Sequence, residues 1–221
     1  MHEFAQMHLE VSASGKEKIV SANRAVIEAV LSLRDVSLER AHQIFGMDAA
    51  AFNAATALQF RDSQRLAESS VPIWKNRFQL RALPAPSTAT SVLLDRSHIT
   101  ASITESFGDL DAATWSRLGT YSKGKIAAAN AKVVDAIVSF SAVDDPAAHL
   151  LFDMPPASFA LTARMLASDW QILRNLEKPV WAIRFDMKSK DEDGASSVGF
   201  LDRESVVTSM LRAFRDVDIP R

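Results

Sequence analysis

Residues able to carry out acid–base, nucleophilic or metal chemistry are few in this sequence and do not cluster. It has five histidines, His2, His8, His42, His98 and His149, and no cysteine. A Cys nucleophile, thiolate zinc sites, iron–sulfur clusters and disulfides are therefore excluded. No GxSxG, P-loop, strand-linked GxGxxG or HExxH motif is present. The sequence accordingly predicts no catalytic residue and a protein that is not an enzyme.

A metal site is best suggested by His42 and His149, which both stand in an A-H-x-x-F context. Even if the two met across an interface, a zinc ion would still lack two ligands. The acidic run at 191–194 lacks the spacing and the terminal Glu of a calcium loop. We therefore expect no metal and no cofactor.

The composition is that of a folded protein: of 221 residues, 48% are hydrophobic and 24% are charged, with a formal net charge of −2. This charge argues against binding polyanions by bulk charge alone, because domains of that kind usually have a pI above about 9. No window approaches the roughly 18 apolar residues that span a bilayer. The amino terminus also lacks a secretory signal. We expect no membrane association and a cytoplasmic location.

The dominant feature of the sequence is an internal repeat, because the chain aligns with itself without gaps at an offset of 107 residues. The string Pro72-Ile73-Trp74-x-x-Arg77-Phe78 returns as Pro179-Val180-Trp181-x-x-Arg184-Phe185. Further matches at the same offset include Asn23 with Asn130, Phe45 with Phe152, Leu94-Asp95-Arg96 with Leu201-Asp202-Arg203, Ser102 with Ser209, and Phe107 with Phe214. The chain is therefore predicted to contain two copies of one module, residues 1–110 (the first repeat) and 111–221 (the second repeat).

A fused pair of modules of this size often replaces a homodimer, with the copies facing each other about a pseudo-two-fold axis. Two independent domains are the alternative. The joint at 119–124 is too short for a free linker. We therefore expect a pseudo-two-fold dimer within one chain, which could oligomerise further.

Within each module, hydrophobic spacing predicts an all-α fold with one short extended segment. The first repeat should form a long helix over 16–33, short helices over 37–45, 48–58 and 60–69, an extended segment over 73–80, and a closing helix over 97–107 capped by Asp95. The second repeat should match it with a long helix over 123–140, an extended segment over 180–187 and a closing helix over 204–214. The two extended segments would either pair with each other or cover the helices. Its short helices should start near Asp144-Asp145-Pro146 and Pro155-Pro156.

Gly46 fits the left-handed position that ends a helix. Its counterpart in the second repeat is Asp153. We therefore expect the second turn to be made differently.

A helix, a tight turn after A-x-x-x-F-G and a second helix form the outline of a helix-turn-helix, although a plain helical hairpin fits the same pattern. In the second helix of the first repeat, Asn53 is the only good base-reading side chain. The counterpart helix and the turn after it offer Ser158, Thr162 and Arg164. The pattern therefore favours packing over base reading for this helix.

Aromatic residues beside the extended segments favour an interface over base stacking. We predict Trp74, Trp181, Phe78 and Phe185 as partner or interface residues. Arg77 and Arg184 would contact phosphate if exposed, and would pair with an acid such as Asp62 or Asp169 if covered. The cations selected as candidate DNA contacts are Arg61, Arg65, Lys75, Arg77, Arg81, Arg164, Arg174 and Arg184.

Each module resembles FlhD, one subunit of the bacterial flagellar transcriptional activator. The likeness is carried in the first repeat by Ala41-x-x-x-Phe45-Gly46-Met47-Asp48, Leu58, Arg65-Leu66-Ala67-Glu68-Ser69-Ser70 and Arg77-Phe78, and in the second by Leu173, Arg184-Phe185-Asp186 and the closing helix from Asp202. It covers most of each module, although that family ordinarily has a single module per chain.

The resemblance implies a helical, dimer-forming transcriptional co-regulator that works with an FlhC-like protein subunit on promoter DNA. In that family the zinc-binding cysteines belong to the partner, which agrees with a chain that has none. DNA affinity should then come mainly through the complex. The alternative is an interaction or scaffold protein that does not bind DNA and that sequesters or assembles a regulator.

Overall fold

The computed structural model describes residues 13–34, 36, 41–83, 94–108, 110, 112–141 and 148–184. These residues are mainly helical, with two short strands, which confirms the predicted all-α class. The elements, in chain order, are α1 (Ala13–Leu31), α2 (Ala41–Ile44), α3 (Ala49–Thr56), α4 (Phe60–Ala67), β1 (Trp74–Asn76), α5 (Arg96–Glu105), α6 (Ala112–Ser116), α7 (Thr120–Ser141), α8 (Ala148–Leu151), α9 (Pro156–Thr162), α10 (Ala167–Arg174) and β2 (Trp181–Ile183).

The two long helices α1 and α7 pack against each other at the centre of the molecule. Their apolar residues recur three and four positions apart, so each helix presents one buried face. The Ser122 hydroxyl, near the start of α7, donates to the carbonyl of Ser32 just after α1 (3.1 Å). One turn further along, Lys125 pairs with Glu28 at 2.8 Å. The helices therefore run antiparallel, and the helices predicted over 16–33 and 123–140 are confirmed.

A buried asparagine on each long helix holds the chain segment that leads into a strand. The Asn23 side chain, which is fully buried, donates to the carbonyls of Ser69 and Val71 (both 3.0 Å) and accepts from the Ile73 N–H (3.1 Å). Asn130 makes the same three bonds at the same offset, to Leu176, Lys178 and Val180. These amides satisfy buried backbone groups that no helix or strand partner reaches.

The short helices begin at the capping residues that the sequence indicates. Asp48 caps α3 by accepting from the Ala51 N–H at 2.6 Å, and Pro156 occupies the first turn of α9. The α3 and α4 helices agree with the helices predicted over 48–58 and 60–69. The predicted helix starts at 37–40 and at Asp144-Asp145-Pro146 lie outside the described residues.

The turn after α2 and the turn after α8 have the same backbone conformation. Gly46 has φ +66° and Asp153 has φ +54°. The expectation that the second turn is made differently is therefore wrong. Aspartate is among the few non-glycine residues that tolerate the left-handed region, since its short polar side chain can interact locally.

The two strands pair with each other in one antiparallel ladder, which decides between the two arrangements expected for the extended segments. Trp74 lies opposite Ile183, Lys75 opposite Ala182, and Asn76 opposite Trp181. The core residues of both repeats form one hydrophobic cluster around this ladder and the α1–α7 pair. The strands are therefore positioned at the place where the two repeats meet.

The α5 helix begins at Arg96, directly after the predicted cap Asp95. The Asp95 carboxylate accepts from the Ser97 hydroxyl and from the His98 N–H. Both hydrogen bonds favour the charged carboxylate, so they lower the pKa of Asp95. The equivalent closing helix predicted over 204–214 lies outside the described residues. None of the helices in the described part of the chain combines the length and apolar character needed to cross a bilayer.

We predict that Asn23→Ala lowers the free energy of unfolding by about 3 kcal/mol, because it leaves one backbone N–H and two carbonyls without their partner. Urea unfolding followed by tryptophan fluorescence measures this. Asn130→Ala should cost a similar amount. The matched control is Asn53→Ala, at an exposed position of α3, which should change stability by less than about 0.5 kcal/mol. Equal effects of Asn23→Ala and Asn53→Ala would contradict the assignment.

Candidate functional site at the paired strands

Besides the ladder, each strand makes a backbone hydrogen bond to a phenylalanine carbonyl of the other repeat. The Asn76 N–H donates to the Phe152 carbonyl, and the Ile183 N–H donates to the Phe45 carbonyl, both at 2.9 Å. Just beyond the strands, the N–H groups of Arg77 and Arg184 donate to Val180 and Ile73, at 3.0 and 3.1 Å. Because these bonds run between repeats in both directions, neither strand is an open edge along this stretch.

Two ring stacks cross between the repeats beside the ladder. Phe45 stacks on Trp181 with centroids 5.3 Å apart and planes 8° from parallel, and Trp74 stacks on Phe152 at 5.4 Å and 15°. All four side chains are fully buried. Neither tryptophan is therefore open to a nucleic-acid base. Phe78 is also fully buried, whereas Phe185 lies outside the described residues.

The indole N–H groups of Trp74 and Trp181 are buried without a hydrogen-bond acceptor among the residues that the structure describes. Leaving such a donor unpaired costs about 1–3 kcal/mol. The stacked rings therefore stabilise the fold through their buried area and shape, while their unpaired N–H groups offset part of that gain.

Arg77 is covered, and its guanidinium makes contacts inside the molecule. Nη1 donates to the carbonyl of Ile44, the last residue of α2, at 2.8 Å, and the cation lies 4.4 Å from the centre of the Phe107 ring. Burial lowers the pKa of Arg77 to about 9, so the group is still charged at neutral pH. The contacts offset part of that desolvation. The expected pairing of Arg77 with Asp62 is wrong.

Arg184 occupies the equivalent place in the second repeat. Its Nη2 donates to the carbonyl of Leu151, at the end of α8, at 2.8 Å. Burial lowers the pKa of Arg184, and the nearby Asp153 carboxylate opposes this by raising it. Each arginine donates to a carbonyl at the end of a short helix, where the carbonyls have no backbone N–H partner within the helix. This geometry removes Arg77 and Arg184 from the cations that face solvent for phosphate contact.

Gly46 lies where the Arg77 guanidinium and the second strand approach the backbone. A Cβ built on Gly46 would lie 2.6 Å from Arg77 Nη2 and 3.0 Å from the Ala182 Cβ. Glycine adopts the positive φ here without strain, and it leaves the space that the Arg77 guanidinium occupies.

Most of the remaining candidate cations are exposed and therefore open to a phosphate: Arg61 and Arg65 on α4, Lys75 in β1, Arg81 after β1, and Arg164 after α9. Lys75 lies 3.9 Å from the Asp153 carboxylate, and both side chains stay exposed. Arg174 pairs with Asp135 at 2.7 Å. The α4 helix brings Arg61 and Arg65 together. The structure gives no contact that joins them to Lys75 or Arg81.

The helix–turn–helix outline consists of α2, the Gly46 turn and α3. One face of α3 is buried through Ala51, Phe52, Ala55 and Thr56, while Asn53 is exposed. In the counterpart α9, Ser158 is buried and accepts from the Leu80 N–H, and the buried Thr162 hydroxyl donates to the Phe159 carbonyl. Ser158 and Thr162 therefore serve packing and are not available to read bases.

His42 and His149 lie in α2 and α8, and both are partly buried. Over the described ranges, no group of three or more His, Asp or Glu side chains is arranged to hold a metal ion.

Sequence reasoning did not assign several contacts of this region. Asn23 and Asn130 are identical at the repeat offset, and each is a polar residue inside an apolar helix face. This position on the helix is the sequence signal that their side chains are buried and hydrogen-bonded. The pairing of Arg96 with Asp169 (2.8 Å) joins residues 73 positions apart and had no local signal.

No family model, curated protein or solved structure matches the chain.

We predict that Gly46→Ala lowers the free energy of unfolding by about 2 kcal/mol or more, because the new Cβ meets Arg77 and the left-handed backbone is strained. Urea unfolding measures the change. Gly124→Ala is the matched control, since it lies inside α7 with nothing within 4 Å of the added Cβ. It should stabilise the protein by about 0.5–1 kcal/mol. A stabilising effect of Gly46→Ala would show that the turn is not constrained as described.

Proposed function

We propose that the chain is a transcriptional co-regulator resembling FlhD, in which the two repeats form a pseudo-two-fold dimer within one polypeptide. In this proposal it acts in the cytoplasm with an FlhC-like protein subunit and reaches promoter DNA mainly through the complex. Residues 1–110 and 111–221 are the two modules.

The observation that carries the proposal is the exchange of contacts between the repeats. The pair Asn76–Phe152 and the pair Ile183–Phe45 are the same hydrogen bond at an offset of 107, and the two Trp–Phe stacks are related in the same way. Contacts that run from the first copy to the second and back again are what an isologous dimer interface requires. A fused dimer suits a protein that offers two near-equivalent surfaces to a partner.

The distribution of cations supports a secondary role in DNA contact. Arg61 and Arg65 are exposed and one helical turn apart on α4, close enough to contact neighbouring phosphates of one strand. With a net charge of −2, the chain has too little positive charge to bind DNA without help. The proposal therefore assigns most of the affinity to the partner.

A second candidate function is a scaffold that assembles or sequesters a regulator without touching DNA. It is favoured by the fate of four candidate cations: Arg77 and Arg184 are covered, Arg174 is paired with Asp135, and Lys75 lies near Asp153. Such a protein would need the dimer fold and its surfaces but not the arginines of α4.

A gel-shift titration of the complex with a promoter fragment tests the proposal. We predict that Arg61→Ala/Arg65→Ala weakens DNA binding by the complex and reduces the slope of log affinity against log salt by about 1 for each lost phosphate contact. The chain alone should not shift the fragment at physiological salt.

The matched control is Arg24→Ala/Lys132→Ala, which removes two exposed cations from the long helices. Its effect on the salt slope should be near zero. A stable complex that shifts no DNA would replace the proposal by the scaffold function. Tight DNA binding by the chain alone would contradict the dependence on a partner.

A further inference from the structure

The chain that follows β1 leaves its own repeat and lies against the second one. The Leu80 N–H donates to the buried Ser158 hydroxyl of α9 at 2.8 Å. At the start of α5, Arg96 pairs with Asp169 in the first turn of α10 at 2.8 Å, and it also reaches Ser168 at 3.2 Å. Asp169 is buried, so this pair is anchored on the second repeat.

The α5 helix is fixed at both ends and along one face. Asp95 caps its start, and the Ser102 hydroxyl accepts from the Gln79 N–H at 3.0 Å. Just beyond its end, the Phe107 ring lies under the Arg77 guanidinium. The face that enters the core is apolar and consists of Ile99 and Ile103, continued by Phe107 and Leu110.

Residues 201–217 repeat several of these features at the offset of 107. The cap, the ion-pairing arginine, the hydroxyl and the terminal ring recur as Asp202, Arg203, Ser209 and Phe214, while Glu204 replaces Ser97. The apolar positions equivalent to Ile99, Ile103 and Leu110 are Val206, Met210 and Val217. This segment therefore carries the cap, the arginine, the apolar positions and the ring by which α5 docks.

Two of the receiving groups recur on the first repeat. Asp62, in the first turn of α4, is equivalent to Asp169, and Arg184 is equivalent to Arg77. The two serines do not recur, since Ser158 corresponds to Ala51 and Ser168 to Arg61. The equivalent contact therefore depends on the Arg–Asp pair, on the ring against the guanidinium and on the apolar face.

We propose that the surface of the first repeat at the start of α4 is the docking site for residues 202–214 of the same chain. The segment binds there as a helix, with Arg203 paired to Asp62 and Phe214 against Arg184. The inference rests on the two-fold relation proposed above, but it does not depend on DNA or on a partner protein. It places a second helix beside Arg61, so that each repeat is covered by the closing helix of the other.

Distances between spin labels on the full chain test this docking, since the chain has no native cysteine to interfere. The test pair is Thr208→Cys with Gln64→Cys. The control pair is Ala101→Cys with Gln171→Cys, at the equivalent positions on α5 and α10, both of which are exposed. We expect the test pair to give a narrow distance distribution centred where the control pair is centred.

A broad or longer distribution for the test pair, beside a narrow control, overturns the inference and leaves the proposed function standing. Loss of the short distance on dilution with unlabelled chain also overturns it, because the segment would then dock on a second copy. Arg203→Glu should broaden the test distribution, and adding Asp62→Arg should restore it. Failure of that rescue would contradict the Arg203–Asp62 pair.

Discussion

The rest of the structure depends on the exchange of backbone hydrogen bonds where the two repeats cross. Each three-residue strand would be too short to persist alone, since isolated two-stranded ladders are only marginally stable. Here each strand also bonds to a phenylalanine carbonyl of the opposite repeat and is covered by a buried Trp–Phe stack. Either repeat without the other would expose these rings and leave the strand amides unpaired. The constraint therefore makes the two repeats one folding unit with a shared core.

Buried polar groups then specify how the elements meet. Asn23 sets the path from α4 to β1, and Asn130 sets the path from α10 to β2. The Arg77 guanidinium bonds to the carbonyl at the end of α2, and the Gly46 turn leaves room for it. Apolar packing alone tolerates small shifts, whereas a buried amide or guanidinium that loses its partners is costly. The same arginines that suggest phosphate binding in the sequence are used for this internal purpose. Among the candidate cations that stay exposed, Arg61 and Arg65 lie together on α4.

Much of the fold could be predicted from the sequence, because its signals are local or are repeated. Helical spacing predicts the long helices, Asp48 and Asp95 mark helix starts, and the returning P-[IV]-W string indicates two equivalent extended segments but leaves their pairing open. The conformation of Asp153 is not predicted, because a left-handed turn suggests glycine although aspartate also tolerates it. The sequence does not predict the environment of Arg77. Its guanidinium contacts the Ile44 carbonyl and the Phe107 ring, and only the tertiary fold brings these groups close to it. Surface recognition is set by such long-range placement, so the candidate site was predicted less well than the helices.

The central claim is that the two repeats hold each other through the crossed strands. Native-state hydrogen exchange of four amides, those of Asn76, Arg77, Ile183 and Arg184, tests it most directly, because each donates across the boundary between repeats. If the repeats form one unit, all four amides exchange only through global unfolding and share its free energy and denaturant dependence. If these four amides exchanged at a free energy well below that of global unfolding, the repeats would separate without unfolding and the account would be wrong.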